Sequence, residues 1–270
     1  MPDQAATDLP TAGAPALLRR DSDGVAFLTL NRPASRNALS VALLDALAAE
    51  LDRIGVDPSV RVVVISGAGP GFCAGHDLRE IRANPSREAY EALFALCSRV
   101  MLAIVRLRQP VIARVHGVAT AAGCQLVASC DLAVAAETAR FATPGVNIGL
   151  FCSTPTVALS RNVGRKAAME MLLTGDMVDA PRARELGLVN RVVPDAALDE
   201  AVLDLARTIA SKSPLTLAIG KEAFYRQAEM PLEDAYAYAS GAMTRNMLAR
   251  DASEGIDAFL GKRAPVWSGR

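Results

Sequence analysis

The sequence predicts an α/β protein with a largely parallel sheet covered on both faces, followed by a wholly helical C-terminal region. Three observations carry this. Apolar runs of strand length alternate with stretches of helical periodicity from about residue 24 to residue 136. The strand-like runs are almost continuously apolar, as in parallel strands buried on two sides, and do not alternate apolar with polar. After about residue 195 every stretch has helical spacing and no strand pattern is left.

The elements follow in order. "GVAFLTLNRP" (24–33) reads as a strand stopped by Asn31 and Pro33. "SVALLDALAAELDRIGVDP" (40–58) places Leu43, Leu44, Leu47 and Leu51 on one helical face, with Ser40 able to cap its first turn. "VRVVVISGAG" (60–69) is a buried strand, and "SREAYEALFALCSRVMLAIVRL" (86–107) a long amphipathic helix. "PVIARVHG" (110–117) is a strand, "AAGCQLVASC" (121–130) a short helix of small residues, and "DLAVAA" (131–136) a strand again. Four helical stretches from "ALDEAVLDLARTIASKS" to "DASEGIDAFLGKR" complete the chain. The first residues, rich in Ala, Pro and Thr, predict a disordered tail over 1–15.

Bulk properties exclude several functions. The 270 residues are 51% hydrophobic, so a sizeable core can be buried. The 29 basic and 29 acidic residues cancel, which argues against a general nucleic-acid binder. No apolar run reaches the roughly 20 residues that span a bilayer. The N-terminus has neither a basic start nor a hydrophobic stretch, so no secretory signal is read and a cytoplasmic location is expected. The five cysteines form no CxxC pair and there are only two histidines, so reduced thiols and no metal site are expected.

Two loops share one logic. "GFCAGHDL" (71–78) and "VHGVATAAGCQL" (115–126) each follow an apolar strand, run through small residues and open a helix. Small residues let a ligand approach the backbone. A helix start offers unpaired N–H groups and a partial positive charge. Two such N–H groups converging on one point form an oxyanion hole.

Together with their flanks these loops resemble the crotonase (enoyl-CoA hydratase/isomerase) superfamily from about residue 17 to 267. The landmarks are "LNRPASRNALS" (30–40), "RVVVISGAGPGFCAGHDL" (61–78), "PVIARVHGVATAAGCQLVASCDLAVAAETARFATPGVNIGL" (110–150), "LLTGDMVDAPRARELGLVNRVVP" (172–194) and "EGIDAFLGKRAPVW" (254–267). The resemblance implies a spiral of ββα units over 16–195 bearing an acyl-CoA site, and a helical assembly region over 196–270. It implies a homotrimer or a dimer of trimers, and a CoA thioester as substrate with no further cofactor. It implies that His76 N–H and Ala122 N–H hold the thioester oxygen, with Ala74, Gly75, Ala121 and Gly123 keeping the approach open. Asp77 and Leu78 continue the first loop on the substrate side, Asp77 also being the simplest N-cap there. Arg36 and Ala38 are implied at the CoA adenosine and phosphates. Phe259 is implied on the adenine, and Lys262 at a phosphate.

The sequence departs from the family where proton transfer is done. The hydratases use two glutamates, and their positions here are Gln125 and Gly145. An amide can orient water but cannot take its proton, and glycine can do neither. Hydration is therefore doubtful, and Gly145 is expected to leave a void open to a bulkier acyl group. Ser153 stands where some relatives carry an aspartate. Cys124 and Cys152 read as buried filler. His116 and Asp131 read as structural, while the His76 side chain could meet a leaving carboxylate. The alternatives are an acyl-CoA decarboxylase or thioesterase, and a non-catalytic acyl-CoA-binding protein.

Overall fold

The computed structural model describes residues 14–270, so the tail expected over 1–15 lies outside the described residues except for its last two. The chain runs β1 (Leu17–Ser22), β2 (Val25–Leu30), α1 (Val41–Val56), β3 (Val62–Gly67), α2 (Leu78–Ala83), α3 (Arg87–Arg106), β4 (Val111–Val115), β5 (Val118–Thr120) and α4 (Ala122–Ser129). It continues β6 (Leu132–Ala136), β7 (Arg140–Ala142), α5 (Ser153–Asn162), α6 (Arg165–Thr174), β8 (Val178–Asp179), α7 (Ala180–Glu185) and β9 (Arg191–Val193). Four helices close it: α8 (Leu198–Ala210), α9 (Pro214–Gln227), α10 (Leu232–Met247) and α11 (Arg250–Leu260).

The larger sheet has the order β1-β2-β3-β4-β6-β9, parallel except for the β1–β2 hairpin at its edge. A second sheet, β5-β7-β8, stands beside it. Unit β4-β5-α4 gives one strand to each sheet and then a helix, and β6-β7-α5 repeats this. That alternation is the ββα spiral. β1 and the short second sheet escape sequence reading: "LLRRDS" carries three charges, and two- or three-residue strands are too short to show a period.

Coverage on both faces explains the apolar strands. Along β3, Val63 and Ile65 join the main core with Leu43, Leu47 and Leu51 of α1 and Val100 and Ile104 of α3. Val62 and Val64 point the other way, onto Leu198, Val202 and Ala206 of α8. Each such side chain taken fully out of water contributes about 1.5–3 kcal/mol. α1 starts where expected, with Ser40 Oγ accepting from Leu43 N–H. α3 starts in the same way, with Ser86 accepting from Ala89.

The C-terminal helices are tied on by a buried polar clamp. Asp131, just after α4, accepts from Val111 N–H at 2.6 Å, from Lys221 Nζ of α9 at 2.6 Å and from Tyr225 OH at 2.9 Å. Lys221 also donates to the carbonyls of Ile104 and Gln109. α10 and α11 meanwhile expose Leu232, Tyr236, Met243, Phe259 and Leu260.

Candidate functional site

The first loop is held by hydrogen bonds to two neighbours. Asn37, fully buried, accepts from Arg32 N–H and donates to the carbonyls of Ala68 and Gly71, each at 2.8 Å. Cys73 N–H donates to Val118 and its carbonyl accepts from Thr120 N–H, which stitches the loop to β5. Ala74 N–H donates to Arg36, Leu39 N–H to Gly75, and Asp77 N–H to Leu39. Leu39 and His76 thus form a parallel bridge in which Leu39 uses both its backbone groups on Gly75 and Asp77. In that pattern the N–H of His76 points away from Leu39. It has no backbone acceptor among the described residues.

The second loop arrives under strain. Ala121 has φ 51° and ψ −119°, a region L-residues avoid. Its N–H is fixed on Ala142 at 2.9 Å and its carbonyl accepts from Gln125 N–H at 3.0 Å. The unusual turn starts α4 abruptly, and Ala122 N–H also has no backbone acceptor among the described residues. The two loops touch here. A Cβ built on Gly75, whose φ is +99°, would stand 2.8 Å from Ala121 Cβ and 3.4 Å from Ala122 N. A Cβ on Gly123 would stand 2.1 Å from the Cys73 carbonyl. Only glycine at both places allows this approach. Two unpaired N–H groups on touching loops, one at a helix start, are what an oxyanion needs.

The side chains around them are neutral or, like Asp77, already paired. Gln125 lies one turn into α4 on the same face as Ala121 and Ala122, is only 4% exposed, and its Oε1 has no partner. Both ring nitrogens of His76 are buried without a partner, and the ring packs edge-on against Phe94 with centroids 5.7 Å apart. Burial pushes this imidazole below its usual range, and the Leu39 carbonyl offsets that only in part. Asp77 is occupied: it caps α2 through Arg79 N–H and pairs with Arg32 at 2.8 Å. Burial works to raise its carboxyl, but Arg32 and the Arg79 N–H outweigh this and hold it below the usual carboxylate range.

Gly145 is the second residue of the helical turn Pro144–Ile148, and the expected void beside it is filled. A Cβ there would meet the Leu150 carbonyl at 2.7 Å and Cys152 Sγ at 3.0 Å, because Leu150 N–H folds back onto the Gly145 carbonyl at 2.9 Å. Ser153 is the exposed first residue of α5, with only a 3.4 Å approach to the Phe151 carbonyl. The cysteines are free and buried, and burial pushes the Cys73, Cys97 and Cys124 thiols up to about 12, so they are inert. His116 bridges Arg114 and the Gly69 carbonyl, a structural role.

With this geometry in place, comparison with known proteins is decisive. The family model "Enoyl-CoA hydratase/isomerase" matches residues 20–270. The chain belongs to the enoyl-CoA hydratase/isomerase family. Human "Enoyl-CoA hydratase domain-containing protein 3, mitochondrial" is 49% identical over 249 residues, covering 92% of this chain and 82% of that protein. A crystal structure of an enoyl-CoA hydratase from Mycobacterium smegmatis superposes with a TM-score of 0.92 at 59% identity, covering 94% of this chain and 99% of that one. The "2,3-dehydroadipyl-CoA hydratase" of Escherichia coli is 38% identical over 247 residues, 91% of this chain and 96% of that protein.

Family membership corrects one expectation. The human relative and its rat counterpart, 47% identical, are named as mitochondrial, which overturns the cytoplasmic location. That expectation rested on a missing secretory signal, and such a signal reports on export alone.

Of the family's CoA positions, Arg36 is exposed at a left-handed turn of φ 50°, and Ala38 is buried beneath it, its carbonyl held by Arg32. Leu78 is half exposed at the start of α2, and Ala74 is partly buried. Phe259 and Lys262 lie apart from these loops in sequence, on α11 and just after it, with Phe259 83% exposed. Sequence reading missed Asn37 and Arg32 as the braces of the first loop. Nothing local marks a buried Asn in "RPASRNAL", because its partners are carbonyls 31 and 34 residues away.

Proposed function

We propose that this chain binds acyl-CoA thioesters with the thioester oxygen between His76 N–H and Ala122 N–H, stabilising an enolate, and that it hydrates enoyl-CoA slowly or not at all. The observation that carries this is the pairing of two free backbone donors with the absence of a carboxylate at residues 125 and 145. Each donor of this kind contributes roughly 2.7–4 kcal/mol to an oxyanionic transition state. Adding water needs a base and an acid. The one carboxylate in the loops, Asp77, is committed to Arg32 and to its helix.

Arg36, Ala38, Phe259 and Lys262 are the candidates for the CoA, and Lys262 offers a cation for its phosphates. The exposed apolar side chains of α10 and α11 support assembly into a homotrimer or a dimer of trimers. A second reading, acyl-CoA binding without turnover, is favoured by the lack of an unpaired carboxylate in the two loops, where Asp77 is held by Arg32 and by the start of α2. The decarboxylase alternative would use His76 as a hydrogen-bond donor to the leaving carboxylate; burial disfavours its charged form, and the neutral ring keeps one N–H for that role.

The test follows the enoyl absorbance of crotonyl-CoA, with binding of butyryl-CoA measured by calorimetry. The expected result is binding with no appreciable loss of absorbance. The variant Gly75→Ala, which forces the loops apart, is expected to weaken binding about 10-fold or more. Rapid loss of absorbance with the natural chain would refute the reading, as would undiminished binding in a folded Gly75→Ala protein.

A further inference from the structure

The outer face of the larger sheet carries a groove that the two loops do not use. Helix α8 packs on this face through Leu198, Val202 and Ala206, against Val62, Val64, Ile112 and Val134. Between α8 and the edge strand β1 it leaves a groove of about 790 Å³. That is a size typical of small-molecule sites. Neither His76 nor Ala122 lines it. Val64 and Val202 belong to the smaller apolar cluster, whereas Cys73 and Ala122 belong to the main core.

Strand register sets out its polar groups. Arg20 of β1 stands opposite Phe27 of β2, and Phe27 opposite Val64 of β3. In the next row Leu18 faces Thr29, and Thr29 faces Ser66. The Thr29 and Ser66 hydroxyls lie 3.1 Å apart, so one donates to the other and one O–H is left over. Arg20 is the diagonal neighbour of Thr29, within reach of a long side chain. Its guanidinium sits over the Phe27 ring, 4.3 Å from the centre, and no carboxylate among the described residues pairs with it. Stacking of this kind uses the face of the guanidinium and leaves its N–H edge open to a carboxylate.

The other charges are answered. Arg114 pairs with Asp199 and donates to His116 Nδ1. His116 Nε2 meets the Gly69 carbonyl, which can only accept, so this ring is neutral with its proton on Nε2. Arg207 stands 3.9 Å from Asp204. Asp23 lies in the β1–β2 turn, at the opposite end from Thr29 and Ser66, and accepts from Ser22. One uncommitted cation suits one negative charge, and the rest of the lining suits an apolar body.

We propose that this groove is a ligand site for a small monocarboxylate with an apolar body, its carboxylate held by Arg20 and the Thr29–Ser66 hydroxyl pair and its body lying along Val64, Val202 and Leu203. The site is independent of the acyl-CoA reading.

The experiment is equilibrium dialysis of the full chain against radiolabelled octanoate, repeated on Arg20→Met and on the double variant Thr29→Val/Ser66→Ala, with folding checked by circular dichroism. Saturable binding of one octanoate per chain is expected, weakened about 10-fold or more by Arg20→Met and less by the double variant. Octanol, octylamine, inorganic phosphate and butyryl-CoA are expected not to displace it. No binding of octanoate, or undiminished binding in a folded Arg20→Met protein, would overturn the proposal. Displacement by octanol or octylamine would remove the role of the charge, and displacement by phosphate that of the apolar body; either sinks the proposal. Displacement by butyryl-CoA would place the octanoate in the acyl-CoA site, which overturns this inference and leaves that reading standing.

Discussion

The two ends of helix α4 treat a buried polar group in opposite ways. In its first half, Gln125 is buried with its Oε1 unpaired, one turn after the free N–H of Ala122 and the strained Ala121. Just beyond its end, Asp131 is nearly as deeply placed, yet Lys221, Tyr225 and the Val111 N–H all donate to it. One helix thus joins a fully satisfied polar centre to a deliberately incomplete one. The satisfied centre binds parts of the chain to each other. The incomplete one finds no partner within the described residues, and the strain at Ala121 belongs to the same part of the helix.

The largest effect should come from breaking the satisfied end. Asp131→Ala leaves Lys221, whose side chain is 7% exposed, buried without its anion. Denaturant unfolding should show a loss of about 3–5 kcal/mol. Gln125→Leu, measured in the same way, should lose nothing or gain slightly, because it removes an orphan and not a bond. Equal losses in both variants would abolish the contrast.

A smaller effect reports on the orphaned ring of His76. Burial lowers its affinity for a proton in the folded state, whereas in the unfolded chain it titrates near its usual value of about 6.5. Below that pH the unfolded state binds the extra proton, so the folded state loses stability as pH falls through about 6.5, and the term vanishes above it. His116 is shifted the same way and adds to the slope. Comparison of the natural chain with His76→Leu isolates the term: the natural chain should lose about 1 kcal/mol more between pH 7.5 and 5.5. Parallel curves would show that the ring finds a partner.

The smallest effect is at the strained turn. Ala121→Gly exchanges a strained positive φ for a residue that adopts it freely, at an entropic cost in the unfolded chain. A net gain of about 0.5–1 kcal/mol is expected, with unchanged binding of butyryl-CoA. A loss of stability would mean that the turn is supported from elsewhere.

What the sequence made legible follows the same division. Periodicity revealed the buried strands and helices because each is longer than one repeat: "RVVVISGAG" gave β3, and the leucines of 43–51 gave α1. The resemblance picked out the two loops of small residues, and the structure brings them into contact at Gly75 and Ala121. The Asp131–Lys221 clamp was not legible, because its partners are 90 residues apart and each is an ordinary charge in isolation. The filled space at Gly145 was hidden for a similar reason. A glycine in sequence reads as missing volume, and only the fold shows the Leu150 carbonyl occupying it.

That occupied space bears on how this chain could ever change its chemistry. Exchanging Gly145 for glutamate would place the new Cβ 2.7 Å from the Leu150 carbonyl oxygen, so the backbone there must shift before the side chain fits. The segment from 145 to 152 would have to be rebuilt first. A designer wanting a carboxylate at this position would therefore have to reshape the turn along with the residue.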